Sequence, residues 1–196
     1  MPEQRRVRLD EQGLPVRKSD VEPEAPEDMR AELEAALDSC DCPELDRADW
    51  DGVESDWSDI AFVKTTTSAV LGVPMGFDSA RDELQRKAKK LGATVPDDAM
   101  LLNGAGRFRR PMMLEVEGAP QGARDVVRPG GVAYTRIYEA PWGQLKKFAS
   151  ELEREATARY GRKPDDVWVW YLTCRHCSRR RNFETLILAH YAGPPA

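Results

Sequence analysis

The four cysteines of this chain occur in two tight pairs, Cys40-x-Cys42 near the start and Cys174-x-x-Cys177 near the end. Four thiolates make a complete tetrahedral shell for Zn²⁺, and the Cys-x-x-Cys spacing lets one turn of backbone present two sulfurs to one ion. The Cys-x-Cys spacing is less specific. The sequence therefore predicts one structural zinc site made by both pairs, which requires the fold to bring two distant segments together.

Three other interpretations of these residues remain open. His176, between the two late cysteines, is an alternative ligand for the same ion. A redox or disulfide pair would make the protein a thiol redox or metal-sensing switch, and unconnected buried thiols would have no shared role. Metal ligation is favoured because we expect a cytoplasmic protein, whose thiols stay reduced.

Composition excludes several classes of function. The net charge of −5 and the pI of about 5.3 argue against direct nucleic-acid binding, which depends on an excess of Lys and Arg. No stretch approaches 18 apolar residues, and no hydrophobic run follows the first ten residues, so neither a membrane span nor a signal peptide is predicted. We expect one domain with a tail, as a monomer or homodimer.

The first part of the chain is predicted to lie outside the main fold. Residues 1–28 are charged, contain prolines and have few large apolar side chains, which predicts a flexible or extended tail. Residues 29–58 are predicted to form a helical arm, because Met29, Leu33 and Leu37 recur at the spacing of one helix face within residues 25–37.

This arm would carry Cys40 and Cys42 just past the end of its helix. The segment that follows is acidic, yet it contains Trp50 and Trp57. Two tryptophans in so polar a segment predict that aromatic anchors hold the arm against the domain.

Residues 59–196 are predicted to form an α+β domain of two β-α-β-β repeats, about 59–117 and 126–191. We expect one antiparallel sheet with both helices packed on one side and a ligand cleft between the repeats. The first repeat has predicted strands at 60–73, 99–103 and 112–117 and a helix from Asp78 to Gly92. The second has predicted strands at 132–138, 167–173 and 184–191 and a helix from Pro141 to Gly161.

The second repeat also contains three short motifs. They are PGGVAY at 129–134, YEAPW at 138–142 and a strand that ends in Tyr171-Leu172. Over residues 59–191 the chain resembles the GyrI-like small-molecule-binding family. The resemblance implies a duplicated module that holds a hydrophobic, often cationic, ligand between its halves. Members act as effector domains of transcription regulators, as free-standing sensors, or as hydrolases that open reactive cyclopropane toxins.

One departure from the family changes the expected ligand. Many drug-sensing members have a buried glutamate two residues before the strand tyrosine, and Val169 stands at that position before Tyr171. The resemblance therefore implies a stand-alone binding or sensing protein for a lipophilic or aromatic molecule that is not a cation. A hydrolase of a cyclopropane-type molecule is the alternative, so whether the protein is an enzyme stays open. No helix-turn-helix is seen before the domain, which disfavours a DNA-binding regulator.

Aromatic residues are the candidate ligand-binding set. Each one could be ordinary core, but together they are denser than a core requires, and large rings with polar edges suit a ligand pocket. Period-two alternation places Trp168 and Trp170 on the opposite face of their strand from Tyr171, without fixing which face lines the cleft. The predicted ligand-binding residues are Phe108, Tyr134, Tyr138, Trp142, Trp168, Trp170 and Tyr171.

Catalytic residues are less evident. His190 is expected to be a satisfied half-buried histidine, and no serine or cysteine stands in a triad pattern. A hydrolase would therefore need a carboxylate as its general base. Glu115 and Glu184 are the preferred candidates, ahead of Glu117 and Glu139. Residues 104–111 form a predicted loop with three arginines and a phenylalanine. This composition indicates an exposed turn or, alternatively, a site that binds an anion.

Overall fold

The computed structural model describes residues 40, 42–70, 73–106 and 108–193. The predicted tail (1–28) and the predicted helix at 25–37 lie outside these residues. Everything described belongs to one compact unit. Within the described residues, no helix combines the length and the apolar character needed to cross a membrane.

One antiparallel sheet contains all nine strands of the described residues. Its order is β1-β7-β9-β8-β4-β5-β2-β3, with β6 paired to the outer edge of β2. The strands are β1 (Glu54–Asp56), β2 (Ala61–Val70), β3 (Val73–Met75), β4 (Leu101–Asn103), β5 (Arg109–Val116), β6 (Val126–Val127), β7 (Val132–Glu139), β8 (Asp166–Tyr171) and β9 (Glu184–Tyr191). The helices are α1 (Arg47–Trp50), α2 (Phe77–Lys90) and α3 (Leu145–Tyr160), with a 3₁₀ turn (Trp142–Gln144) before α3.

The duplication is visible in the strand order. β2-α2-β4-β5 forms the first repeat and β7-α3-β8-β9 forms the second, so each half reads strand, helix, strand, strand. In the sheet the two halves meet where β8 pairs with β4, through Leu102 opposite Trp170 and Asn103 opposite Val169. The predicted α+β fold of two β-α-β-β repeats in one antiparallel sheet is confirmed.

Both long helices cover the same side of the sheet, which we call the helix face. Apolar residues spaced by four along each helix form the buried stripe, and the sheet supplies the alternate residues of its strands. From α2 the buried residues are Ala80, Leu84 and Ala88, and from α3 they are Leu152, Ala156 and Tyr160.

The opposite side, which we call the arm face, is covered by the segment before β2. Trp57 is 1% exposed, with its ring 5.0 Å from that of His190 and 5.2 Å from that of Phe62. Trp50 meets Trp170 edge-on at 5.7 Å. Both tryptophans therefore anchor this segment, as the sequence predicts, and β1 adds it to the edge of the sheet beside β7.

Some element boundaries differ from prediction. β5 begins at Arg109 instead of Met112, because its long ladder with β2 extends to the pair Arg109–Ser68. α2 begins at Phe77, after Gly76 at φ +71° and with no side-chain cap, so the predicted start of this helix at Asp78 is one residue late. The predicted end of α3 at Gly161 is confirmed by its left-handed φ of +69°.

Candidate functional site

The four cysteines meet at one place. The β8–β9 loop carries Cys174 and Cys177, and the segment before α1 carries Cys40 and Cys42. All four Sγ atoms lie within 4.8 Å of one another. The Sγ atoms of Cys40 and Cys174 are 3.5 Å apart, and those of Cys174 and Cys177 are 3.9 Å apart. The predicted convergence of the two pairs is confirmed.

These distances fit a tetrahedral metal ion. Four sulfurs at about 2.3 Å from Zn²⁺ lie about 3.8 Å from one another. The thiols are all free, and the measured separations are far above the roughly 2.05 Å of a disulfide. The cluster can therefore hold a metal ion through four soft ligands.

The local backbone favours thiolates. The loop turns tightly, with Ser178 N–H donating to the Cys174 carbonyl at 3.0 Å. Backbone N–H groups also donate to sulfur at 3.4 Å, from Cys174 to the Sγ of Cys177 and from His176 to the Sγ of Cys174. The imidazole of His176 is exposed, and within the described residues the cluster contains the four cysteines only.

Proton affinity is uneven across the cluster. Burial opposes ionisation of Cys174, but the N–H groups of Cys177 and His176 and the neighbouring thiols outweigh it and lower the pKa of Cys174 to about 6. Burial raises the pKa of Cys42, and the adjacent thiols raise it further. Thiolates this close repel one another, so a bound cation would supply the charge that balances them.

Arg181 provides a second link between the same two segments. Its guanidinium donates to the Pro43 carbonyl at 2.8 Å and to the Glu184 carboxylate at 2.6 and 2.9 Å. Nearby, Arg47 pairs with Glu139. Glu184, a candidate base, is thus held in an ion pair beside the metal-capable cluster.

Glu115, the other candidate base, has a different environment. Met112 and Leu114 pack under α2, so alternation directs Glu115 to the arm face. Burial raises its pKa, although the Met100 N–H donates to its carboxylate at 3.1 Å. A partly buried carboxyl with a raised pKa is the kind of group that can take part in proton transfer.

A depression of about 560 Å³ opens beside the sheet and is lined from both of its sides, because Glu83 and Lys87 of α2 contribute to it together with strand residues. Its lining includes Lys64, Arg109, Pro111, Met113 and Trp168. Arg109 comes from the loop that is predicted as a possible anion-binding site. Its guanidinium is one of the cationic groups that line the depression.

The seven candidate ligand-binding residues do not share one surface. Trp168 and Trp170 are buried on the arm face, whereas Phe108 is 65% exposed in the loop before β5. The remaining four lie on the helix face or at its rim. They are Tyr134, Tyr138, Trp142 and Tyr171.

On the helix face, rings from both repeats meet around Tyr171. Its ring is 5.8 Å from that of Trp142 and 6.1 Å from that of Phe77, both edge-on, and Trp142 is 5.5 Å from Phe183. Phe77 begins α2 and Trp142 directly precedes α3, so the starts of both helices converge here. We call Phe77, Trp142, Tyr171 and Phe183 the junction cluster.

Two buried polar atoms near the junction cluster have no hydrogen-bond partner among the described residues: Oδ1 of Asn103 and Nε1 of Trp142. Sequence reasoning missed Asn103 as a site residue. The sequence does contain a signal for it. Asn103 is a polar amide at the end of an otherwise apolar strand, at a position that period-two alternation places in the interior.

The fold and these sites define a duplicated β-α-β-β protein with a metal-capable cysteine cluster and an aromatic junction between its repeats. The family described as "Bacterial hydrolase" matches residues 32–189, and the chain belongs to this family. None of the curated proteins is a match.

Two solved structures are similar to this chain. The crystal structure of the EcmrR C-terminal domain is 12% identical, with a TM-score of 0.49, over 72% of this chain and 96% of that one. The cryo-EM structure of an EcmrR–DNA complex is 11% identical, with a TM-score of 0.46, over 83% of this chain and 64% of that one.

Proposed function

We propose that the protein binds or senses a lipophilic or aromatic small molecule at the junction cluster. The observation that carries this proposal is the meeting of aromatic rings from both repeats around Tyr171. Such rings combine large apolar area with polar edges, as ligand sites require. The GyrI-like resemblance also supports it, because members of that family hold ligands between their two halves.

The junction favours a ligand that is not a cation. Val169 occupies the position of the buried glutamate of drug-sensing GyrI-like members, and it packs on the helix face. Neither the junction cluster nor Asn103 and Val169 beside it carries a carboxylate. Among these residues a buried cation would find no compensating charge, which is costly.

We also propose that Cys40, Cys42, Cys174 and Cys177 hold a structural Zn²⁺ ion. Four protein ligands close the shell, which is typical of structural sites, whereas catalytic sites keep an open position for water. When bound, the ion supplies a cross-link between the arm and the β8–β9 loop. The proposal includes a reducing compartment such as the cytoplasm, where the thiols remain available.

Hydrolysis is the second candidate function, favoured by membership of the bacterial hydrolase family. The substrate would be an electrophilic, cyclopropane-type molecule in the depression beside Met113, whose next neighbour on the same side of β5 is Glu115. This carboxylate would take a proton from water while the water oxygen bonds to the electrophilic carbon and the strained carbon–carbon bond breaks. The same proton then passes to the released ring carbon, which completes the addition of water.

Binding is tested with 2-naphthol as the probe, by quenching of tryptophan fluorescence. Tyr171→Ala should weaken binding at least about tenfold, because it removes the central ring of the junction. Trp50→Phe, on the arm face, is the matched aromatic control and should bind like the unmodified protein. Equal affinities for all three proteins would refute binding at the junction.

Turnover is tested separately with an activated spirocyclopropane, by mass spectrometry of the hydrated, ring-opened product. If the protein is a hydrolase, Glu115→Gln should abolish product formation while substrate affinity is retained. Unchanged turnover in this variant would exclude Glu115 as the base. Absence of product from the unmodified protein would argue against hydrolysis and leave the binding proposal intact.

A further inference from the structure

Asn103 and Trp142 present an acceptor and a donor that the described part of the protein does not use. Asn103 is 1% exposed and its Oδ1 has no partner there, and the buried Nε1–H of Trp142 is likewise unpaired. Folded proteins leave few buried polar atoms unsatisfied, because each one loses its hydrogen bonds to water. Two such atoms beside one aromatic junction require an explanation.

The amide of Asn103 is held in one orientation. Its Nδ2 donates to the carbonyls of Leu101 and Val169, both at 3.3 Å. These carbonyls belong to β4 and β8, the two strands that join the repeats. Turning the amide over would lose both bonds, so Oδ1 must remain the atom that points away from them.

Asn103 lies close to the junction cluster. It stands opposite Val169 and Met112 in the sheet, and both of those side chains pack on the helix face. Tyr171 is two residues after Val169, so it is a diagonal neighbour of Asn103 on that face, about 7–8 Å away. The acceptor therefore lies on the helix face, one diagonal strand position from the central ring.

The donor comes from another side. Trp142 is fixed by edge-on contacts with Tyr171 and Phe183, in the 3₁₀ turn just before α3. Its indole N–H is buried but unpaired within the described residues. An acceptor from the sheet and a donor from the turn before a helix thus lie on the same side of the sheet as Tyr171.

We infer that Asn103 and Trp142 recognise an uncharged ligand that carries both a hydrogen-bond donor and an acceptor, such as a carboxamide attached to an aromatic ring. The inference rests on the proposed binding function and specifies its ligand. The lone pairs of Asn103 Oδ1 would repel an anion, and the side chains of the junction cluster carry no charge to balance either an anion or a cation. An amide N–H, by contrast, can donate to Oδ1, and its carbonyl can accept from Nε1–H.

Three probes of nearly equal shape isolate the effect of charge: benzamide, protonated benzamidine and benzoate. Binding to the full chain is followed through tryptophan indole signals in ¹H–¹⁵N spectra, with the Trp142 signal assigned from its loss in Trp142→Phe. Benzamide is expected to shift this signal and to bind about tenfold or more tightly than either charged probe.

Two variants remove the proposed recognition atoms: Asn103→Leu removes Oδ1 together with Nδ2, and Trp142→Phe removes Nε1. Asn103→Leu and Trp142→Phe should each weaken benzamide binding by about two- to tenfold, the loss of one neutral hydrogen bond. Trp50→Phe on the arm face is the matched control and should leave affinity unchanged. If Asn103→Leu fails to fold, Trp142→Phe, measured by calorimetry, still tests the inference.

The outcomes separate this inference from the proposed function. A preference for benzamide that both variants diminish supports both. Equal affinity for the three probes, or benzamide binding that neither variant weakens, overturns the recognition pair while leaving the junction as a binding site. No binding of any probe, with the Trp142 signal unmoved, counts against the junction as a ligand site and so against both.

Discussion

Removal of the proposed Zn²⁺ ion from the four cysteines is expected to lower the melting temperature by about 10–20 °C. Cys40 and Cys174 are 134 positions apart, so an ion that joins them closes a loop of most of the chain. The chain-entropy relation assigns about 5 kcal/mol to a cross-link of that length. For a protein of this size, each kcal/mol corresponds to a melting shift of about 2–4 °C.

This cross-link stabilises the protein mainly by reducing the conformational entropy of the unfolded chain. The metal-free protein should therefore stay folded at low temperature. The burial of Trp57 and the pairing of β1 with β7 do not involve the cysteines. The link from Arg181 to Pro43 also remains, since it is a hydrogen bond between other atoms. We therefore expect a native circular dichroism spectrum at 20 °C with a lower melting temperature.

Differential scanning calorimetry with and without a chelator, under reducing conditions, measures this shift, and elemental analysis verifies that the metal has been removed. A double variant, Cys42→Ser with Cys177→Ser, is the control. It should melt near the temperature of the chelated protein and should not respond to chelator. A shift below about 3 °C after verified metal loss would refute the cross-link reasoning.

Three further predictions concern the fold and its pH dependence. Trp57→Ala should cost about 3–5 kcal/mol in denaturant unfolding, because it empties the centre of the arm face, and a cost below about 1 kcal/mol would contradict the anchor. Gly130→Ala should cost about 1–2 kcal/mol for its left-handed φ alone. Gly131→Ala should cost clearly more, because its Cβ would lie 1.9 Å from the carbonyl oxygen of Tyr191, and equal costs would refute this. Burial raises the pKa of Glu115 above 4.5 in the folded state, so the folded state binds this proton more tightly than the unfolded state does. The free energy of unfolding should therefore fall as the pH rises from 4.5 through the folded-state pKa. Glu115→Gln should flatten that slope in pH-dependent melting, whereas an unchanged slope would exclude this carboxyl as its source.

Local pattern accounts for much of the fold. The stripe of α3, with Leu152, Ala156 and Tyr160 at successive turns, repeats at the helical period, and Gly161 ends the helix where the sequence predicts. The order strand, helix, strand, strand follows from such signals in each half. The cysteine cluster was also predictable, because the ligand types and spacing restrict the possible geometry.

The remaining features depend on contacts distant in sequence. Alternation separates Trp170 from Tyr171, but only the packing of α2 and α3 decides which side becomes the helix face. β1 and β6 are two or three residues long, too short for a periodic signal. The unpaired Oδ1 of Asn103 depends on carbonyls of two different strands, which no local pattern contains.

Native mass spectrometry of the protein purified under reducing conditions tests the central claim most directly. The account predicts one zinc ion per chain, with protons lost from the thiols that bind it, and its disappearance in a Cys174→Ser variant. A chain that carries no metal, or that is lighter by the two hydrogens of a disulfide, would contradict it.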